Sequence, residues 1–254
     1  MEKVGTLGII PARYASSRLP GKPLADILGK PMIQHTYERA RPQTDALLVA
    51  TDDARIARAV EAFGGRALYT RPDHPSGSHR CQEAYQQWVA QGGSAEVIIN
   101  IQGDEPLLPS GDVARLARLF KDPHVKLGTL AQPISTVAEL ENRSGCFLTV
   151  DQQNDALYFS RALIPQLRDV PRSQWLQHHP FYRHIGMYGY RPEALAQLAQ
   201  LPPTPLEKAE KLEQLRWLEH GGRIRVAFTA EESRSVDTPE DLEAVRQILS
   251  RAHG

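Results

Sequence analysis

Short apolar runs alternate with amphipathic segments along the first half of the chain. The runs VGTLGII, ALLVA and EVIINI each lead into a polar or proline-containing loop, which is typical of buried β-strands. PMIQHTYERAR, ARIARAVEAFGG and HRCQEAYQQWVAQGG lie between or beside these runs and have helical patterns and ends. Strands and helices that alternate to about residue 130 predict an α/β fold. We expect a mostly parallel central sheet with helices on both faces.

The second half of the chain has a less regular pattern. Apolar runs predict strands at residues 126–133, 147–151, 156–160, 184–190 and 224–228, with a small antiparallel excursion among them. Five apolar residues at helical spacing predict one amphipathic helix: Leu206, Ala209, Leu212, Leu215 and Leu218. Residues 169–180 are polar and proline-bounded, which predicts a loop, and TPEDLEAVRQIL predicts a capped C-terminal helix. Because no linker interrupts the pattern, we predict a single domain over residues 1–254.

Charge and composition narrow the class of protein. The chain has 30 lysines and arginines and 30 acids in 254 residues. This balance argues against a dedicated partner such as nucleic acid or an anionic membrane. Cys81 and Cys146 are the two cysteines, so a disulfide framework is not expected. Because no apolar run is long enough for a signal or membrane-spanning segment, we expect a cytoplasmic protein.

Positive charge is concentrated in the loop after the first predicted strand. IIPARYASSRLPGKPL holds Arg13, Arg18 and Lys22, and no acid lies between Glu2 and Asp26. In a parallel α/β sheet, ligands bind beyond the carboxyl ends of the strands. Guanidinium, ammonium and backbone N–H groups there suit a polyphosphate. A solvated basic loop is the alternative, and neither the Walker nor the Rossmann glycine pattern is present.

Two acidic segments are candidates for a metal site. QGDEP places Asp104 and Glu105 after an apolar strand, and VDTPEDL contains Asp237. Mg²⁺ prefers one or two carboxylates together with phosphate oxygens and water. The alternatives are a turn capped by Asp104 and a helix capped by Asp237. A cationic loop and two acidic points on one sheet predict a Mg–nucleotide site, and hence a transferase that acts on phosphate.

Several motifs together identify a family. IIPARYASSRLPGKPL, VATDD, RPDHPSGSHR, NIQGDEP, ALYFSRALIP, RHIGMYGYR, PLEKAEKLEQLR and VDTPEDL occur in this order between Ile9 and about Ile248. The series closely resembles the 3-deoxy-manno-octulosonate cytidylyltransferases, the CMP-Kdo synthetases. The resemblance implies a Rossmann-like nucleotidyltransferase fold and a homodimer. It also implies the transfer of CMP from CTP to 3-deoxy-D-manno-octulosonate (Kdo), an acid sugar, for lipopolysaccharide assembly.

The resemblance also implies roles for individual residues. Residues 1–130 would mainly bind the nucleotide, and residues 131–230 would bind the sugar and form the dimer. The nucleotide-binding residues would be Pro11, Ala12, Arg13, Ser16, Lys22, Arg71, Ser78 and Gln102. Asp104 and Asp237 would hold Mg²⁺, and together with Arg13 and Lys22 they would be the catalytic residues. The sugar-binding residues would be Arg161, His184, Tyr188, Glu213 and Gln214.

The chain departs from the family pattern at two positions. His79 stands where the family usually has a carboxylate, and Phe147 stands where it usually has a lysine. A lost cation near the sugar leaves a related acid sugar open as the substrate, such as 8-amino-Kdo or a sialic acid. A catalytically silent nucleotide-binding protein is the alternative of a different class. The retained pair of Asp104 and Asp237 argues against it, because metal carboxylates have little use without Mg²⁺ chemistry.

Overall fold

The structure is a computed structural model that describes residues 2–15, 18–141, 145–231 and 234–252. The chain forms two compact units, Met1–Ala117 with Glu232–Gly254, and Arg118–Glu231. The strands are β1 (Glu2–Ala12), β2 (Asp26–Ile27), β3 (Lys30–Pro31), β4 (Ala46–Thr51), β5 (Ala67–Tyr69), β6 (Gly93–Asn100), β7 (Leu127–Pro133), β8 (Phe147–Val150), β9 (Ala156–Ser160), β10 (Tyr182–Tyr190) and β11 (Arg225–Phe228). The helices are α1 (Met32–Ala40), α2 (Ala54–Ala62), α3 (Gly77–Ala90), α4 (Asp112–Arg118), α5 (Val137–Leu140), α6 (Trp175–His178), α7 (Pro192–Gln200), α8 (Pro205–Glu210), α9 (Gln214–Glu219) and α10 (Pro239–Ala252). Within the described ranges, no helix is both long enough and apolar enough to cross a bilayer.

The first unit contains a parallel sheet with the strand order β6–β1–β4–β5. All six residues of β4 are buried, as expected for a strand covered on both faces. Helices α1, α2 and α3 follow β1, β4 and β5 along the chain, as a parallel connection requires. The α/β fold class and the parallel sheet are therefore confirmed. A separate two-stranded antiparallel sheet, β2–β3, lies before α1 and was not predicted.

The second unit contains the predicted antiparallel excursion. β7 pairs antiparallel with β10 and parallel with β11, while β8 pairs antiparallel with both β10 and β9. Phe147 is buried with Ile134, Leu140, Trp175 and Phe181. The strand predicted at residues 147–151 is therefore present as β8, and Phe147 belongs to the core.

Two predictions in the second unit are wrong. The amphipathic pattern from Leu206 to Leu218 forms two helices, α8 and α9, because Lys211 takes a left-handed conformation with φ of 56° between them. The polar segment 169–180 contains α6, because the Trp175 ring is buried and stacks on Phe181 with ring centroids 5.4 Å apart. A single left-handed residue decided the first outcome, and an apolar contact decided the second against the average polarity of the segment.

Candidate functional site

A polar cavity of about 330 Å³ lies at the carboxyl end of β1 in the first unit. Its lining includes seven residues predicted for the nucleotide and the metal, namely Pro11, Ala12, Arg13, Lys22, Gln102, Asp104 and Asp237. Arg18, from the same cationic loop, also lines it. Asp104 lines the cavity, whereas Glu105 is buried and is not part of the lining. Ser16, also predicted to bind the nucleotide, lies outside the described residues.

The loop after β1 is built to present Lys22. The backbone N–H of Gly21 donates to the carbonyl of Tyr14 at 3.1 Å and closes the loop. Gly21 has φ of 71°, a left-handed conformation that glycine adopts at little cost. A 3-10 turn then begins at Lys22, and the buried Pro23 anchors it. The turn therefore holds Lys22 near the carboxyl end of β1, in the lining of the cavity.

Lys22 joins the two predicted metal carboxylates. Its Nζ donates to Asp104 Oδ2 at 2.6 Å and to Asp237 Oδ1 at 3.1 Å. Burial lowers the pKa of Lys22, but Asp104 and Asp237 together outweigh it, so the pKa lies above its usual value. Arg18 Nη2 also approaches Asp237 Oδ1 at 3.1 Å. The Asp104 and Asp237 carboxylates therefore face the same position, which the Lys22 ammonium group occupies.

The C-terminal helix brings Asp237 to this point. Val236, Leu242, Val245 and Leu249 pack with Met32 in a core cluster, and the N–H of Val236 donates to the carbonyl of Asp104 at 2.8 Å. The helix cap is made by other residues. Asp241 Oδ2 accepts from the Thr238 N–H at 2.9 Å, and Thr238 Oγ1 accepts from the Asp241 N–H at 3.2 Å. The Asp237 carboxylate is therefore directed to Lys22 and Arg18, not to a cap.

Within the described residues, no residue of the segment RPDHPSGSHR lines this cavity. Arg71 is exposed, with its Nε 3.3 Å from Asp73 Oδ1. Ser78 is buried in the first turn of α3, where its Oγ lies 2.7 Å from Ser76 Oγ. Neither Arg71 nor Ser78 lines the cavity. The segment is linked to it through Arg13, whose Nη2 donates to the carbonyl of His74 at 2.5 Å.

In the second unit, His184 and Tyr188 share an aromatic cluster. The His184 ring lies 5.1 Å from Phe159, edge to face, and 5.3 Å from Tyr188, between centroids. Four residues of regular strand span about 13 Å. A bulge between Ile185 and Tyr188 shortens this distance, so β10 brings the two rings together.

The protonation of His184 follows from its neighbours. The Thr129 hydroxyl donates to the carbonyl of Met187 at 2.8 Å, so it accepts from His184 Nε2 at 2.9 Å. Burial, and then the charge of Arg161, lower the pKa of His184 to about 3. Burial is also the main cause that raises the pKa of Tyr188 well above its usual value. His184 is therefore neutral at physiological pH, with Nδ1 as an acceptor.

The other predicted sugar-binding residues lie directly after β9 and at the start of α9. The Arg161 N–H donates to Glu210 Oε2 at 2.8 Å, and Arg161 lines a cavity of about 550 Å³ with Phe147 and Arg172. Gln214 Nε2 donates to Cys146 Sγ at 3.9 Å, and Glu213 Oε1 lies 3.9 Å from Arg216 Nη2. Of the five predicted residues, Arg161 alone is in the lining of that cavity within the described chain. Sequence reasoning missed Thr129 and Glu210, whose partners are far along the chain.

The first unit offers two carboxylates as donors for a metal ion. No group of three or more histidine, cysteine, aspartate or glutamate side chains in the described part of the chain forms a ready metal cage. Asp104 and Asp237 supply two carboxylates around one cation. This donor set suits Mg²⁺, which completes its shell with phosphate oxygens and water and needs no protein cage.

Comparison with known proteins agrees with this geometry. A family model described as cytidylyltransferase matches residues 7–226. The 3-deoxy-manno-octulosonate cytidylyltransferases of Parabacteroides distasonis and Syntrophobacter fumaroxidans are 46% and 49% identical over 248 residues. These alignments cover 96% of the chain and 98% and 97% of the two proteins. A solved CMP:2-keto-3-deoxy-manno-octonic acid synthetase complexed with CTP is 43% identical, with a TM-score of 0.88 over 98% of the chain and 99% of its own length. The chain belongs to the cytidylyltransferase family and, within it, to the 3-deoxy-manno-octulosonate cytidylyltransferases.

Proposed function

We propose that the protein transfers CMP from CTP to Kdo, with CMP-Kdo and pyrophosphate as products, as part of lipopolysaccharide synthesis. The observation that carries this proposal is the junction of Lys22 with Asp104 and Asp237 at the carboxyl end of β1. Cations for a triphosphate and carboxylates for its metal meet there. The relatives, named for Kdo and aligned over almost their whole length, support the choice of sugar.

In the proposed reaction, the first unit binds and activates CTP. Arg13 and Lys22 bind the phosphates and stabilise the negative charge that develops on the leaving pyrophosphate. Asp104 and Asp237 are the residues that would hold Mg²⁺, which would neutralise phosphate charge when bound. Arg18, which already faces Asp237, is a further cation for the triphosphate. Pro11, Ala12, Gln102, Ser16, Arg71 and Ser78 remain predictions for the rest of the nucleotide.

The second unit supplies the groups that suit an acid sugar. Arg161 provides a cation for the sugar carboxylate, and neutral His184 accepts a hydrogen bond from a hydroxyl through Nδ1. Tyr188, Glu213 and Gln214 offer further polar atoms. For transfer, the anomeric hydroxyl must attack the α-phosphorus of CTP in line as the bond to pyrophosphate breaks. Holding both substrates in this orientation supplies part of the rate enhancement.

The test is an assay of pyrophosphate release from CTP with Kdo, 8-amino-Kdo and a sialic acid, each with and without Mg²⁺. We expect Mg²⁺-dependent turnover with Kdo. Turnover with another acid sugar and none with Kdo would overturn the choice of sugar. CTP binding without turnover on any sugar would instead support a catalytically silent nucleotide-binding protein.

A homodimer in the cytoplasm completes the proposal. We place the contact between subunits at the β8–β9 hairpin, where Leu157 on β9 is 62% exposed. Size-exclusion chromatography with light scattering tests it, with Leu157→Glu as the variant. We expect twice the monomer mass for the wild type and a shift toward monomer for the variant. A monomeric wild type would contradict the proposal.

A further inference from the structure

Helix α3 carries a partly buried polar network to which the sequence assigned no role. Arg80 and Glu83 are one helical turn apart, so their side chains lie on the same side of α3. Both side chains turn to the segment between β5 and α3, which contains Thr70, Arg71 and His74. Arg80 contacts Thr70, and Glu83 contacts Arg71 and His74.

Glu83 binds the segment at two points through one oxygen. Its Oε2 accepts from the Arg71 N–H at 3.0 Å and forms a short hydrogen bond with His74 Nε2. Its Oε1 accepts from Gln87 Nε2 at 3.2 Å. Burial raises the pKa of Glu83, but these hydrogen bonds, that from Arg71 first, outweigh it and leave the pKa below its usual value. Glu83 is therefore a carboxylate at neutral pH.

Arg80 holds the start of the same segment. Its side chain is fully buried, and Nη1 donates to Thr70 Oγ1 at 2.6 Å. The same Nη1 lies 3.0 Å from Asp52 Oδ1, at the carboxyl end of β4. The VATDD motif thus supplies a half-buried carboxylate as a partner for the buried Arg80 of α3. Arg80 therefore links the segment to Asp52 at the end of β4, and Glu83 links it to α3 by hydrogen bonds.

His74 connects this network to the nucleotide cavity. It is 7% exposed, and while its ring binds Glu83, its backbone carbonyl accepts from Arg13 Nη2 at 2.5 Å. Arg13 lines the cavity with Lys22 and Asp104. The path from Glu83 to Arg13 therefore consists of two hydrogen bonds through a single buried residue.

We propose that Glu83 is a positioning residue for CTP: through His74 it holds the Arg13 guanidinium in the orientation that binds the triphosphate. This inference rests on the proposed function, since it takes CTP as the ligand of the cavity. Glu83 does not touch the cavity itself. Its effect is expected on CTP affinity and not on the sugar.

The experiment compares Glu83→Gln with Glu61→Gln, a matched change at an exposed position on α2. CTP binding is measured by calorimetry without sugar, and KM for CTP and for Kdo is measured in the pyrophosphate assay. We expect Glu83→Gln to weaken CTP binding and raise KM for CTP about tenfold, because a charge-assisted hydrogen bond is lost. KM for Kdo stays within about twofold, and Glu61→Gln matches the wild type.

A double-mutant cycle separates positioning from a general loss of structure. If Glu83 acts through Arg13, Glu83→Gln changes CTP binding less than about twofold in an Arg13→Ala background. A full tenfold effect in that background, or unchanged CTP binding by Glu83→Gln alone, overturns the inference. Calorimetry needs no sugar, so a wild type that binds CTP but does not use Kdo contradicts the proposed function and leaves this test intact.

Discussion

The two groups of predicted site residues differ in the physics that holds them. In the first unit, Lys22, Asp104 and Asp237 are held by opposite charge, at 2.6 and 3.1 Å. In the second unit, His184 and Tyr188 are held by aromatic packing and a strand bulge, and burial suppresses the charge of His184. A charged cluster can exchange its internal partners for a triphosphate and a metal ion. A desolvated cluster instead presents neutral donors and acceptors in a fixed shape.

The ion pairs of Lys22 in the first unit and of Arg216 in the second unit also differ in role. Lys22 bridges two carboxylates that line a cavity, so the pair is available to a ligand. Arg216 in α9 is 6% exposed and donates through Nε to Glu207 Oε2 of α8 at 2.8 Å. That pair joins the two helices on either side of Lys211. The comparison predicts that charge removal affects catalysis in the first unit and stability in the second.

The largest expected effect is on catalysis in the first unit. Asp104→Asn keeps the shape of the side chain but removes one of the two carboxylates proposed to hold Mg²⁺. We expect kcat/KM to fall by about 10³-fold, since metal-ion stabilisation of the transition state is worth several kcal/mol. The free energy of unfolding should change by less than about 1 kcal/mol, because the charges are partly exposed. Steady-state kinetics and urea unfolding measure the two quantities.

The control for this variant is Asp26→Asn, which changes an exposed aspartate in the same unit. It should leave kcat/KM within about twofold. A loss of less than about tenfold for Asp104→Asn would contradict the metal assignment.

The next effect is on stability in the second unit. Arg216→Ala leaves the Glu207 carboxylate, whose side chain is 14% exposed, without its buried partner. We expect the free energy of unfolding to fall by about 3 kcal/mol. Arg168→Ala, which removes an exposed partner of Asp169, should cost less than about 0.5 kcal/mol. Equal losses for the two variants, measured by urea unfolding, would mean that the α8–α9 pair has no special structural role.

The smallest expected effect is on the pH dependence of the free energy of unfolding, through His184 in the second unit. Unfolded His184 binds a proton near pH 6.5, whereas folded His184 stays neutral down to about pH 3. Its contribution to stability is therefore complete above pH 6.5 and is lost as the pH falls toward 3. Between pH 7 and pH 5 this loss is about 2 kcal/mol. His184→Gln should reduce the pH dependence of the free energy of unfolding by this amount.

The control for the pH experiment is His178→Gln, which removes an exposed histidine in the same unit. It should keep the pH dependence of the wild type. If His184→Gln also keeps it, His184 titrates normally and the desolvated description of the second cluster fails.

Much of the first unit could be predicted from local pattern. Each of β1, β4 and β6 contains a short apolar run that leads into a polar loop, and parallel strands end at a common edge. The placement of Lys22 and Asp104 near each other follows from this rule. The position of Asp237 does not, because it comes from the end of the chain after the whole second unit. Packing of α10 against Met32 brings it back.

The second unit was less predictable because its geometry depends on exceptions to regular structure. A left-handed Lys211 divides a helix that the apolar spacing made continuous. The bulge in β10 brings His184 to Tyr188, although the alternating pattern of a strand gives no sign of it. Glu83 and Glu210 were missed for a related reason. Each binds backbone far along the chain, and a single acidic residue on a helix carries no signal of such a partner.

The amino-acid sequence by itself determined the parallel sheet, the sheet edge at which we expect a phosphate ligand, and the family. These depend on local periodicity and on short motifs. The tertiary structure decided which partners the charged side chains have and which side chains are ionised. It made Asp237 a partner of Lys22 and not a helix cap. It also lowered the pKa of His184 to about 3, so that His184 is neutral at physiological pH. It also linked Glu83 to Arg13 through His74. The physical reason is that ionisation and hydrogen bonding depend on burial and on neighbours that only the folded chain brings within a few ångströms.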